Sequence, residues 1–177
     1  MNNVTIRSWS EDNLTLLKRL MGDAAMTVYL GGPETPEVIH KRHERYCQLE
    51  QTGKGCMFVI VFGAEKIAAG SVGYWEMDWK GQLVWEVGWS VLPEFQVQGI
   101  AKAGTKRLMD HVRGLQSHRY VHAFPSIDNA ASNALCRNVG FVLNGEVELE
   151  DWKSPGNFLR FHDWSLDLFA YRTNTTT

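Results

Sequence analysis

The sequence predicts a mixed α/β fold, a central sheet flanked by helices. Segments of two-residue apolar alternation recur along the chain, "VTIRSW" and "LVWEVGWSVL" among them. Between them lie stretches where apolar residues return every three or four positions. The two kinds interleave in the order β-α-α-β-β-β-α-β-α-β-β, which belongs to neither an all-helical nor an all-strand architecture.

The elements follow in order. "VTIRSW" is a first strand, and Ser10 caps a helix running to about Met21. "GGPETPE" breaks that helix, and Thr35 or Pro36 starts a second one ending near Gln51. "GCMFVIVFG" and "KIAAGSVGYWEMDW" flank "GAE" as a hairpin, and "KGQ" turns the chain into "LVWEVGWSVL". In that strand Leu83, Trp85, Val87, Trp89 and Val91 share one face, and Val84, Glu86, Gly88, Ser90 and Leu92 the other. A bulge at Gly88 would disturb that division locally. Ile100, Gly104, Leu108, Val112 and Leu115 recur at helical spacing, and "RYVHAF" is a further strand. Asp128 or Asn129 caps a short helix with Ala131, Leu135 and Val139 on one side and Gly140 as its stop. "FVLNGEVELE" and "NFLRFHDWSLDLF" close the chain as two strands.

At 177 residues the chain reads as one domain over 1–170, with 171–177, which includes "TNTTT", as a flexible tail. Composition is that of a soluble globular protein, 44% hydrophobic and 21% charged. A net charge of −2 gives no field for nucleic acid, and no run is apolar enough to span a membrane. Cys47, Cys56 and Cys136 have no CxxC spacing and cannot all pair internally. Reduced thiols in a cytoplasmic protein fit that pattern, and a metal site does not.

One connection does more than turn the chain. "LPEFQVQGIAKAGTKRLMDHV" passes from a strand through Gln96, Val97, Gln98 and Gly99 into a helix. A helix start leaves backbone N–H groups unpaired and carries about half a positive charge. Gly99 lets a ligand come close to the backbone, and Ala101 is small enough not to obstruct it. Such a turn is a cradle for a diphosphate. The Gly-rich dinucleotide fingerprint and the GK[ST] phosphate loop are both missing, which weakens a nucleotide-binding reading.

"WSVLPEFQVQGIAKAGTKRLMDHV" resembles the acetyl-coenzyme A loop of the GNAT superfamily of N-acetyltransferases. Gln96, Gly99 and Ala101 match the pattern Q/R-x-x-G-x-G/A in register. "NAASNALCRNVGF", from Asn129 to Phe141, resembles the family's N-x-x-S/A…L…GF element at the expected distance. The resemblance implies a mostly antiparallel central sheet splayed in the middle, between the strands ending near Leu92 and Phe124. It implies acetyl-coenzyme A as cosubstrate and no metal. Backbone amides of Val97, Gln98, Gly99, Ile100, Ala101 and Lys102 would hold the pyrophosphate. Trp89, Ser90 and Val91 would pair with the pantetheine arm like an added strand. Asn129 would bond the arm from the other side, with Ser132 one helical turn along.

The implied reaction is direct attack of a primary amine on the thioester. A lysine amine has a pKa of about 10.4 and an α-amine about 8, so a proton must be removed first. Glu86, in "WEVGW", stands where the family often carries a glutamate that orders a water. It could equally pair with a basic neighbour on a solvated face. His122 is the next candidate base, although a strand histidine is more often structural. The amide of Val91 would serve the oxyanion. Many relatives place a tyrosine acid where this chain has Cys136, and a buried thiol packing beside Leu135 is the simpler reading there.

The amine acceptor would be framed by the first two helices, "YLGGPETPE" and the last hairpin. "YLGGP" resembles segments in the branch that holds ribosomal-protein N-terminal acetylases, which also contains enzymes for small amines. Glu34, Glu37, Glu148, Glu150 and Asp151 could attract a cationic amine or face solvent. Trp75, Trp79 and Trp152 could wall a pocket or pack. A homodimer through the late strands is common in the family. A non-catalytic acyl-coenzyme A-binding module is the alternative to an enzyme.

Overall fold

The computed structural model describes residues 3–151 and 153–170, so the expectations for Trp152 and for the 171–177 tail lie outside the described residues. Seven strands form one sheet in the order β1-β2-β3-β4-β5-β7-β6. These are β1 Val4–Ser8, β2 Gly55–Phe62, β3 Ile67–Trp79, β4 Gln82–Val91, β5 Tyr120–Ala123, β6 Val142–Glu150 and β7 Phe158–Asp167. The helices are α1 Leu14–Met21, α2 Pro36–Leu49, α3 Ile100–Leu115 and α4 Ala130–Val139. Every strand contact is antiparallel except that between β4 and β5.

The sheet separates two cores. One holds Phe58, Ile60, Val72, Trp85, Val87 and Val121 against Leu108 and Val112 of α3. The other holds Met57, Val59 and Leu92 against Leu17 and Leu20 of α1 and Ile39 of α2. β2 lies between them, so nearly all its residues are buried and its sequence reads as one apolar run rather than an alternation. Gly104 lets α3 press onto β2, since a Cβ there would lie 2.9 Å from Ile60 Cδ1.

The element order matches the sequence expectation, with local corrections. A single 3₁₀ turn, Glu11–Asn13, precedes α1, and Ser10 donates its amide to Asn13 Oδ1 at 2.9 Å. Pro36 is the first residue of α2, as expected, and Thr35 caps it, its hydroxyl accepting from the Val38 amide. Leu83 and Leu115 are exposed, because each sits at the end of its element, past the core. No bulge interrupts β4, which pairs with β3 in continuous register through Gly88.

The buried face of α4 is the largest correction. Asn133 and Cys136 point inward, while Ala131 is exposed and Leu135 and Val139 are half-buried. Hydrogen bonding makes this possible. Asn133 Nδ2 donates to the carbonyls of Ser126 and Asn129, and its Oδ1 accepts from Trp164 Nε1 at 2.9 Å. A fully bonded amide can be buried where an unpaired one could not.

Candidate active site

β4 and β5 meet at only two rungs, Trp85 with Val121 and Glu86 with His122. Beyond them the strands part, and Ala123 pairs only with Trp164 on its other side. The sheet is therefore forked, as expected. The Leu92 amide donates to Ala69 on β3 at 2.9 Å. By strand alternation the amides of Val91 and Trp89 point the other way, into the fork. Gln96 Nε2 donates to the Val91 carbonyl at 2.9 Å and so braces the mouth.

The strand leads into the start of α3. Gly99 adopts φ 76°, the left-handed region, and a Cβ there would meet nothing within 4 Å. Val97 also has positive φ, at 59°, with its side chain fully exposed. A β-branched residue in that region is a strained outlier, and such strain collects at ligand clamps. The first amide donated back along α3 is that of Ala103, to the Gly99 carbonyl at 2.9 Å. The amides of Ile100, Ala101 and Lys102 precede it at the positive end of the helix dipole. The Ile100 side chain is buried in the core, so only its backbone is available to a ligand. Gln98 Nε2 donates to the Glu94 carbonyl at 2.8 Å, and Lys102 is exposed.

Across the fork stands α4. The Asn129 side chain caps it by accepting from the Ser132 amide at 3.0 Å. Trp89 Nε1 donates to Ser132 Oγ at 3.3 Å, so a residue from each wall touches the other.

Glu86 and His122 lie on the α1/α2 side of the sheet, because their neighbours Trp85, Val121 and Ala123 fill the opposite core. Glu86 Oε2 accepts from Trp75 Nε1 at 2.7 Å. Gly88 makes room for that indole, since a Cβ there would lie 2.9 Å from its ring. Burial pushes the Glu86 carboxyl above the ordinary range, and the Trp75 hydrogen bond opposes this only in part. Its mapped partner is therefore an indole, and the solvated ion pair weighed from the sequence does not form.

His122 is buried and its Nδ1 lies 2.6 Å from Asp163 Oδ1 on β7. The other Asp163 oxygen accepts from Trp79 Nε1 at 3.2 Å. Phe124 stacks on the His122 ring with centroids 5.9 Å apart. Trp75 and Trp79 thus each hold a carboxylate. Cys136 is fully buried in the α3/α4 core, where burial pushes its thiol up to about 12.

Glu34, considered as an attractor for a cationic acceptor, is instead bonded to Arg42, whose Nε donates to it at 2.9 Å. Its side chain is buried, so its charge is neutralised inside the α1–α2 connection. Lys153, in the β6–β7 turn, donates from Nζ to the Gly32 carbonyl at 2.6 Å and ties that turn to the α1–α2 connection, the two loops expected to frame an acceptor. Val28, Tyr29 and Leu30 in the first of them are exposed. Glu150 is drawn into its own turn, Oε1 accepting from the Gly156 amide at 2.8 Å. Among the described residues no helix is long and apolar enough to cross a membrane.

The model of the acetyltransferase (GNAT) domain matches residues 3–142. The chain belongs to the GNAT acetyltransferase family. As a GNAT acetyltransferase it is an acyltransferase, and its solved relatives share the forked sheet's fold. One is a spermidine N-acetyltransferase from Vibrio cholerae in complex with CoA and spermine, TM-score 0.76 at 20% identity, covering 93% of this chain and 95% of that one. Another is an acetyltransferase from Salmonella typhimurium that modifies the N-terminal serine of ribosomal protein L7/L12, TM-score 0.75 at 22% identity, covering 93% and 94%. A third is an acetyltransferase of the GNAT family from Bacillus anthracis, TM-score 0.73 at 15% identity, covering 93% and 95%. A search of curated proteins found no match.

The structure gathers Trp89, Ser90, Val91, Gln96, Gly99 and the start of α3 along one wall of the fork, Asn129 and Ser132 on the other, and Glu86 at its apex. Sequence reasoning missed Asp163 and Asn133. The available signal was a polar residue at an inward position between aromatic and apolar neighbours, in "FHDWS" and "ASNAL".

Proposed function

We propose that this GNAT acetyltransferase moves an acetyl group from acetyl-coenzyme A to a primary amine by direct attack. The observation that carries the reading is the fork: the Val91 and Trp89 amides turn into it, and it opens onto the unpaired amides at the start of α3. A pantetheine arm is an extended chain of amides, so it pairs with such an edge as a strand would. Its diphosphate then falls at Val97 to Lys102, where N–H groups and the helix dipole stabilise negative charge. Asn129 and Ser132 close on the arm from α4, and Trp89 releases Ser132 to do so. Gln96 supports the mouth through Val91.

Glu86 draws the proton from the incoming ammonium, directly or through water. Its raised carboxyl suits it to that task better than an ordinary glutamate. The acceptor is an amine, as for the polyamine and N-terminal substrates named for the relatives. The three free cysteines support a reducing, cytoplasmic setting. A binding module without catalysis is the second reading, favoured by the buried, weakly acidic Cys136 at the family's acid position.

Calorimetry with acetyl-coenzyme A tests the clamp. Free-thiol release with spermine, a peptide bearing an N-terminal serine, and an aminoglycoside tests the transfer. No affinity for acetyl-coenzyme A ends the proposal. Affinity with Glu86→Gln turning over as fast as the unmodified protein removes Glu86 from it.

A further inference from the structure

We infer that His122, held by Asp163, carries the second proton of the acceptor amine to the departing sulfur. This rests on the acetyl-transfer reading and gives the reaction the acid that Cys136 does not supply.

The proton balance requires such a group. An ammonium gives one proton to Glu86 and becomes an amine. As its nitrogen bonds the thioester carbon, it still carries a proton that the amide product lacks. When the C–S bond breaks, the sulfur leaves as a thiolate that must gain one. A single base that takes the nitrogen's proton and returns it to sulfur serves both steps and ends as it began. Cys136, fully buried with its thiol up to about 12, is too weak an acid for that return.

His122 has the needed setting. It is the rung partner of Glu86 at the last pairing before β4 and β5 separate, so both side chains stand on one face at the apex. Its Nδ1 lies 2.6 Å from Asp163 Oδ1. A carboxylate only accepts, so Nδ1 carries a proton, and whenever the ring is neutral its lone pair lies on Nε2. Trp79 Nε1 fixes the other Asp163 oxygen at 3.2 Å, and Phe124 stacks on the ring, so neither carboxylate nor imidazole can turn freely. Asp163 and Trp79 are positioning residues in this scheme. A merely structural tie between β5 and β7 explains less, because those strands already pair at four rungs, from Tyr120 to Ala123.

The test has two arms. Protein labelled with ¹⁵N-histidine is examined at pH 8, the His122 signal being the one lost in His122→Gln. The expected state is a proton on Nδ1 with bare Nε2, moving toward a tautomer mixture in Asp163→Asn. A proton on Nε2, or on both nitrogens at that pH, overturns the inference. In the second arm, His122→Gln and Asp163→Asn are assayed for thiol release with the best acceptor of the panel above. Expected are a fall in kcat of about a hundredfold for His122→Gln and about tenfold or more for Asp163→Asn, with the Kd for coenzyme A unchanged. A kcat within threefold of the unmodified protein for His122→Gln refutes the inference and leaves acetyl transfer intact. An unmodified protein that binds no acetyl-coenzyme A refutes acetyl transfer itself. If a variant loses coenzyme A affinity through misfolding, or no amine is turned over, the ring's state in the unmodified protein decides.

Discussion

Glu86 and His122 are partners on the last rung of the parallel β4–β5 pair, and the sheet opens immediately beyond them. The two groups owe their meeting to register. Partners on a parallel ladder share a face, and Trp85 and Val121 occupy the opposite one. A shift of one residue in either strand would send one of the pair into the α3/α4 core.

Glu86→Gln should reduce kcat by about a hundredfold while leaving the Kd for acetyl-coenzyme A unchanged. It should also change stability in a pH-dependent way. The folded carboxyl is raised above its unfolded value because burial disfavours the charge. Its contribution to stability is therefore fully present below the unfolded pKa, about 4.3, and is lost as pH rises through the folded value. The variant carries no charge to bury, so its melting temperature should match the unmodified protein's near pH 4 and exceed it at pH 7.5. Equal melting temperatures at both pH values would contradict the assigned burial.

Gly99→Trp should fold and lose coenzyme A affinity. The backbone at φ 76° costs a side chain about 1–2 kcal/mol, and open space beyond the Cβ adds no clash. The indole would project over the amides that face the diphosphate. Calorimetry should give a Kd raised tenfold or more beside a modest drop in melting temperature; unchanged affinity would move the diphosphate elsewhere.

Gly88→Val tests how Trp75 serves Glu86. A Cβ at 88 would sit 2.9 Å from the end of the Trp75 ring, so the indole must shift and its bond to Glu86 must lengthen. Overpacking of this kind costs about 1–3 kcal/mol. We expect a lower melting temperature together with a kcat about tenfold down, measured at saturating acetyl-coenzyme A. A stability loss without any loss of kcat would make Trp75 a packing residue only.

Thiol labelling separates the cysteines. Cys56 and Cys136 are buried, with thiols pushed up to about 12, whereas Cys47 is only half-buried. The thiolate is the reactive form, so at pH 8 native Cys56 and Cys136 should resist a disulfide reagent that labels all three thiols after denaturation. Intact mass after exposure to oxidised coenzyme A should show no adduct on Cys136. An adduct there would place the thiol beside the bound cofactor, contrary to its burial.

Much of the fold was legible because local chemistry specified it. Thr35, Gly99 and Gly140 each end or begin a helix for reasons contained within a few residues of chain: a hydroxyl that accepts the Val38 amide, and two positive φ angles that glycine tolerates. The Gln96–Lys102 connection announced itself in the same way. The inward face of α4 did not. Apolar spacing favours Ala131, Leu135 and Val139, yet Asn133 is buried because Ser126, Asn129 and Trp164 bond it, and none of those partners lies within the helix, Asn129 being its cap.

By itself the sequence determined the element order, the caps and the loop entering α3, since each depends on neighbours along the chain. Tertiary structure alone decided which polar groups meet. Asp163 stands 41 positions from His122 and 84 from Trp79, and only the β3-β4-β5-β7 strand order brings the three together. No local pattern encodes such a pairing: a carboxylate reads the same in a strand whether it faces water or a buried imidazole. The choice is made when the sheet closes and burial leaves that carboxylate no water to bond.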